Sequence, residues 1–238
     1  MTASRILRPQ GTGRFVFLCD HASNSVPLEL DGLGLPPTEL ARHIAWDIGA
    51  AGVTEALSEH FDAPAILCKT SRLVIDCNRQ LAAPDLIPET SDGTVIPGNQ
   101  QLSEAARASR VERWFHSYHD AIEAVLQERE QRGVPTVVVS IHSMAASLAG
   151  TPRPWQIAIS SHLDRSLAGP VLAALRRLDG IVVGDNQPYD LDPKVDYSIP
   201  FHALRRGLPQ LQVEFRQDEI WDADRQRQWA ARLARCIW

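Results

Sequence analysis

Long apolar runs are missing from this 238-residue chain. None approaches the ~18 consecutive residues of a membrane span, so no membrane partner is expected. Residues 1–5, MTASR, also lack the apolar segment of a secretory signal, and a cytoplasmic location is the expectation. Cysteine is sparse: Cys19, Cys68, Cys77 and Cys236 show no CxxC spacing and read as small buried hydrophobes, with a Cys68–Cys77 disulfide as the alternative. A basic excess is absent too. The net charge is −5 and the arginines and lysines are scattered, which gives no reason to expect a nucleic-acid partner. Repeats and low-complexity segments are not found.

The composition that is present, 44% apolar and 22% charged, is that of a globule with one substantial core. Strand and helix periodicities alternate along it. Strands are expected over residues 14–19, 63–69, 73–75, 136–141, 155–160, 181–183 and 211–215. Helices are expected over 38–61, 103–132, 163–178 and 220–238. Such alternation implies one α/β domain spanning residues 1–238, with a mostly parallel mixed sheet covered by helices on both faces. The Pro-, Gly- and Asp-rich stretch 80–100 is long for a connection and reads as a functional loop.

His21 and His142 each follow a buried strand-like run, FVFLC at 15–19 and VVVSI at 137–141. A parallel sheet presents ligand-binding groups at the carboxyl ends of its strands, so these imidazoles can meet in one cleft. Taken alone, a histidine after a strand more often has a structural role. Asp47 sharpens the choice. On a helix over 38–61 it falls in the middle of the face carrying Leu40, Ile44 and Ala51, with His43 at the edge. A carboxylate there needs either a nearby arginine and backbone donors or a metal. Two histidines, a carboxylate and an open fourth position is the donor count of catalytic zinc, although the same donors accept other divalent metals.

In LQVEFR, residues 211–216, alternation turns Glu214 away from Leu211, Val213 and Phe215. It is either a surface carboxylate paired with Arg216 or a general base beside an activated water. Arg72, Asp76, Asn78 and Arg79 gather within SRLVIDCNR at 71–79. They form either a surface ion-pair network or a carboxylate clamp, in which Arg72 alternatively polarises a carbonyl and Asp76 orients an arginine. Residues 184–189, GDNQPY, are a tight connection or a loop that contacts substrate.

In order along the chain, CDHASNSVP (19–27), HIAWDIG (43–49), SRLVIDCNR (71–79), IPETSDG (87–93), IPG (96–98), His142-Ser143, VGDN (183–186) and VEFRQD (213–218) resemble the N-formylglutamate amidohydrolase family. The resemblance implies a zinc-carboxypeptidase-like (phosphorylase/hydrolase-like) fold, related also to aspartoacylase. It implies a zinc-dependent enzyme acting on a small N-acylated acidic amino acid, as a monomer or small homo-oligomer. Within the matched segments, His21 and His142 become ligands and Glu214 the base. Arg72 becomes a carbonyl polariser, and Asn78 and Arg79 a carboxylate clamp, with Asn24, Ser143 and Asn186 as further substrate contacts. Related carboxypeptidases draw two ligands from His-x-x-Glu, whereas this chain has Asn24 at the second position, leaving Asp47 or Asn24 as third ligand. An aromatic is also missing after His142-Ser143, which changes the pocket wall. A carboxypeptidase or amidase on another acylated substrate, and a scaffold that binds an acidic ligand without turnover, are the rival readings.

Overall fold

The computed structural model describes residues 3–148 and 150–237. Among the described residues eleven strands are formed: β1 Ser4–Leu7, β2 Phe15–Cys19, β3 Ala65–Cys68, β4 Thr90–Ser91, β5 Thr94–Val95, β6 Val137–Met144, β7 Ser147–Leu148, β8 Thr151–Pro152, β9 Ile157–Ser160, β10 Val183–Asp185 and β11 Gln210–Arg216. Seven of them build one sheet in the order β1-β3-β2-β6-β11-β9-β10. Strands β3, β2, β6 and β11 are mutually parallel, whereas β1 pairs antiparallel with β3 and β9 with β11. This is the mixed, mostly parallel α/β sheet that the alternating periodicities imply.

Helices cover both faces. Helices α1 Pro37–Leu40, α2 Ala50–Phe61, α3 Glu104–Arg110, α4 Ser117–Gln131, α5 Ala168–Leu175, α6 Ser198–His202 and α7 Ala223–Ala234 complete the framework. Strand alternation divides the core in two. Phe15, Phe17, Val139, Ile141, Leu211, Val213 and Phe215 point to α2, α5 and α7, packing on Val53, Leu57, Leu172, Trp229 and Leu233. Val16, Leu18, Ile66 and Val138 point to α4, packing on Tyr118, Ile122, Val125 and Leu126. Farther along that second face, the same alternation brings up Ser140, His142, Gln212 and Glu214. They are buried polar groups, and His142, Gln212 and Glu214 line a cavity.

The connections decide where the cleft opens. Strand β2 pairs with β6 only from Phe15↔Val137 to Leu18↔Ser140, whereas β6 runs on beside β11 to Met144↔Arg216. From its carboxyl end β2 leads through α2 to β3 on one side, while β11 lies on the other side of β6. The crevice between β2 and β6 is therefore a switch point, the place where open α/β sheets bind ligands.

Several expected boundaries move. The helix expected over 38–61 is interrupted: residues 41–49 are turns, and α2 starts only after Gly49, whose φ of +82° favours glycine. A Cβ on Gly49 would lie 2.2 Å from the carbonyl oxygen of Ile220, so this close approach also demands glycine. The strand expected over 73–75 is a turn, because Asn99 and Arg110 side chains take the carbonyls of Leu73 and Val74. His142 lies inside β6 rather than beyond its end. The helix over 103–132 forms as α3 and α4 joined by a π-helical turn at Val111–His116, with Ser103 accepting from the Ala106 amide as its cap. The helix over 163–178 shortens to α5, and the strand over 181–183 shifts to β10. The closing helix is α7, capped by Asp222; it begins three residues later than expected and ends at Ala234, with residues 235–237 outside it, and of the expected extension only Trp238 lies outside the described residues. β1, the β7–β8 hairpin and α6 carry too little periodicity to be expected. All four cysteines are free and buried, with the Cys68 and Cys77 sulfurs 3.8 Å apart, so the disulfide alternative does not form.

Candidate active site and metal centre

His21 sits in the turn that ends β2, and the amide of Asp47 donates to its carbonyl at 2.9 Å. That bond holds the 41–49 turns against the end of β2 and carries the Asp47 carboxylate into the crevice. Asp47 is therefore inward-facing as expected, but on a turn ahead of α2 rather than on a helical face. His142 completes the group from β6. Its Nδ1 lies 2.9 Å from Asp47 Oδ2, and that of His21 lies 3.4 Å from the same oxygen. One donor atom from each of the three residues falls within 4.8 Å of the other two, and all three residues are buried.

The other ring nitrogens identify the tautomers. His21 Nε2 is 2.7 Å from Asp76 Oδ1, and His142 Nε2 lies 2.9 Å from Ser140 Oγ and 3.2 Å from Asp20 Oδ2. Ionised carboxylates only accept, so each Nε2 carries hydrogen, while each Nδ1 faces Asp47 as a donor in the protonated ring and as a lone pair in the neutral one. Two lone pairs and a carboxylate oxygen repel one another unless a cation, protons or a metal, lies between them. Carboxylates behind both imidazoles are also the usual outer partners of metal-bound histidine. The donor set therefore fits a divalent metal.

The supporting layer is closely bonded. Asp20 accepts from Tyr118 OH at 2.8 Å, Ser198 Oγ at 2.7 Å and Ser140 Oγ at 3.2 Å. Arg72 donates to Asp76 Oδ2 through Nε at 3.0 Å and NH2 at 2.6 Å, and its NH1 reaches Asp47 Oδ1 at 3.5 Å. Electrostatics follow from these contacts. Burial pushes the Asp47 carboxyl up, but the charge of His21 and the bonds from both imidazoles outweigh it and hold the group well below the usual range. Asp76 is likewise held down, burial being overcome by Arg72 and His21. For His142 burial favours the neutral ring, yet Asp20 and Asp47 raise it well above the ordinary imidazole value.

Glu214 lies level with His142 in the β6–β11 register. It is 6% exposed and lines the cavity. Arg216 is taken up by Asp218 and Glu219, so the expected surface pair with Glu214 does not form. Burial, with the charge of Asp47 adding and that of His142 opposing, pushes the Glu214 carboxyl up to about 7.

The cavity occupies about 930 Å³ including its open mouth. His21, Asp47, Arg72, Asn78, Arg79, His142, Ser143 and Glu214 of the expected set all line it. Asn78 is occupied: its Nδ2 donates to Asp196 and its Oδ1 accepts from the amides of Tyr197 and Ser198 at the start of α6. Arg79 donates through Nε to Asp85. Ser143 Oγ donates to the carbonyl of Ile48, while its amide donates to Asp47 Oδ2. Two expected residues do not join the cavity lining. Asn24 donates to the carbonyl of Leu40, tying the first loop to α1, and Asn186 accepts from the amide of Ser161. Asn24 thus lies outside the His21–Asp47–His142 group.

Sequence reasoning passed over Asp20, Ser140, Gln212, Arg153 and Tyr189. The first three had a signal, since Asp20 precedes His21 and Ser140 and Gln212 share a strand face with His142 and Glu214. Arg153 and Tyr189 reach the cavity from irregular segments; Tyr189 closes the 184–189 loop read as a possible substrate contact, and Arg153 had no signal.

A family model described as N-formylglutamate amidohydrolase matches residues 13–221. No curated protein sequence matches the chain. Among solved structures, the gene product Atu2144 from Agrobacterium tumefaciens is 34% identical over 100% of this chain and 94% of its own, with a TM-score of 0.96. N-formylglutamate amidohydrolase from Ralstonia eutropha JMP134 is 18% identical over 99% and 97%, with a TM-score of 0.75, and shares the fold. The matched region contains every residue of the His21–Asp47–His142 group and Glu214, and the chain belongs to the N-formylglutamate amidohydrolase family.

Proposed function

We propose that this chain is a zinc-dependent hydrolase that cleaves the amide of an N-formyl or other N-acyl acidic amino acid, with N-formyl-L-glutamate as the first candidate substrate. One observation carries the reading: the Nδ1 atoms of His21 and His142 converge on Asp47, and each ring is backed by its own carboxylate. Bound to these three residues, zinc would polarise the scissile carbonyl and acidify a water. Glu214 accepts the proton of the attacking water, whose oxygen bonds to the carbonyl carbon. The same carboxyl then delivers that proton to the amine nitrogen as the C–N bond breaks, leaving formate and the amino acid. Arg72, fixed by Asp76, keeps positive charge facing the developing oxyanion. Arg79 offers its guanidinium to a substrate carboxylate, and Asn78 fixes the wall behind it through α6.

The reading as a binding scaffold without turnover drew on Asn24 as a lost ligand. The grouping of Asp47 with His21 and His142 argues against that reading. The test is formate release from N-formyl-L-glutamate before and after chelation, with zinc restored. Turnover lost on chelation and regained with zinc is expected. Undiminished turnover in rigorously metal-free protein would remove zinc from the mechanism, and turnover only of other acylated amino acids or peptides would replace the substrate.

A further inference from the structure

Arg153 is the cavity arginine that no carboxylate pairs with among the described residues. Arg72 is held by Asp76 and Arg79 by Asp85. Arg153 is 7% exposed and lines the same cavity, but its NH2 donates only to the hydroxyl of Tyr189, at 2.7 Å, and its NH1 only to the carbonyl of Ala145, at 3.4 Å. Its guanidinium carbon lies 5.0 Å from the centre of the Tyr189 ring. Among the described residues no carboxylate pairs with it.

Two other buried arginines show what a structural role looks like here. Arg129 makes four hydrogen bonds, to the carbonyls of Gly11, Gly13 and Pro135 and to Thr136 Oγ1. Arg110 makes three, to the carbonyls of Val74 and Gly98 and to Asn99 Oδ1. Neither lines the cavity. Arg153 uses two of its five N–H donors and keeps the remainder in a cleft, and a desolvated cation left this way is costly unless an anion arrives.

The position is built. The Arg153 amide donates to the carbonyl of Ala146 at the base of the β7–β8 hairpin, and its carbonyl accepts from Arg216 at 3.0 Å. Tyr189 stacks on the guanidinium and accepts from it, which leaves the hydroxyl's own proton for a second acceptor.

We propose that Arg153, positioned by Tyr189, is a specificity-determining residue that binds a substrate carboxylate other than the one facing Arg79. This rests on the amidohydrolase reading above, and makes the enzyme a reader of two carboxylates, selecting N-acylated dicarboxylic amino acids over monocarboxylic ones. The fork of N–H groups and the tyrosine hydroxyl together supply the planar, charge-assisted bonding that a carboxylate accepts.

The experiment compares wild type, Arg153→Met and Arg153→Lys on N-formyl-L-glutamate, its α-amide and its side-chain amide (N-formyl-L-glutamine). Arg153→Met should raise KM for N-formyl-L-glutamate on the order of 30–100-fold with kcat little changed. With one of the two amides, the same variant should cost less than about threefold, because the partner charge is already gone. Lysine should fall between, keeping charge without the fork; it decides the question if the methionine variant does not fold. An equal KM penalty on all three substrates, or a loss confined to kcat, overturns the assignment. Calorimetry of glutarate against butyrate gives a readout without turnover. Arg153→Met should erase the preference of the wild-type protein for glutarate, and a preference that is absent or survives in the variant refutes it. If the wild-type protein releases no formate from any of the three, the deformylase reading falls while the glutarate result still decides Arg153.

Discussion

Replacing Glu214 by Gln separates chemistry from architecture. The side chain is 6% exposed, and its carboxylate makes no hydrogen bond to a described residue. The isosteric amide therefore removes no hydrogen bond and relieves the cost of a charge out of water. Stability should stay within about 1 kcal/mol of wild type, a shift of less than about 4 °C in Tm for a chain of this size. Activity should behave oppositely. A carboxyl that takes a proton from water and returns it to the amine contributes about 10²–10⁴-fold, or roughly 2.7–5.5 kcal/mol at 1.36 kcal/mol per decade. The assay is kcat for formate release from N-formyl-L-glutamate at fixed pH, with metal content and the melting curve measured on the same preparation. A correctly metallated, wild-type-stable Glu214→Gln retaining more than about a tenth of kcat would refute the base assignment. A large stability loss would refute the view of an unengaged carboxyl.

Asp47→Ala should abolish tight zinc binding, checked by metal analysis after dialysis; retained stoichiometric zinc would move the third ligand elsewhere. Asp76→Asn leaves all three donors in place but weakens the acceptor behind His21 Nε2, and metal affinity should fall about 10–100-fold in a competition titration with a chromogenic chelator. His119 and His202, bonded ring to ring at 2.9 Å, should make folding acid-sensitive. Burial, aided by the neighbouring His202, pushes His119 down to about 3, and burial with Arg206 pushes His202 down to about 4. Both folded values lie below the unfolded imidazole value of about 6.5, so their stability contribution is whole above that pH and declines as pH falls towards the folded values. Between pH 7.5 and 5 the loss is about 2 kcal/mol for each ring. His21 and His142, raised in the metal-free protein, act in the opposite direction. The measured quantity is therefore the difference in urea stability between wild type and His119→Gln/His202→Gln across that range, and equal pH slopes would sink the idea.

Strand alternation was readable because it depends on neighbours two residues apart. It turned Glu214 away from Leu211, Val213 and Phe215, and that separation holds in the sheet. The inward placement of Asp47 was also legible, since a carboxylate among apolar neighbours needs a partner wherever it lies, but the helix invoked for it is broken over residues 41–49. There, the bond from the Asp47 amide to the His21 carbonyl and the close approach of Gly49 to Ile220 override local helical periodicity. Asn24 shows the converse. Its spacing from His21 suggested a ligand, while its side chain is engaged by the carbonyl of Leu40.

The order of residues along the chain determined the alternation of strands and helices, the placement of His21 just after β2 and the polar face of β11, because each follows from short-range periodicity; that His142 lies inside β6 did not follow from it. The tertiary structure alone decided that β2 parts from β6 beyond Leu18↔Ser140, bringing Asp20, His142 and Glu214 to one level. It alone placed Asp76 behind one imidazole, Asp20 behind the other and Arg153 in the cavity wall without a paired carboxylate among the described residues. Pairings between residues 55 to 178 positions apart, such as His21 with Asp76 and Ser198 with Asp20, depend on how the chain crosses the sheet, which no local pattern encodes.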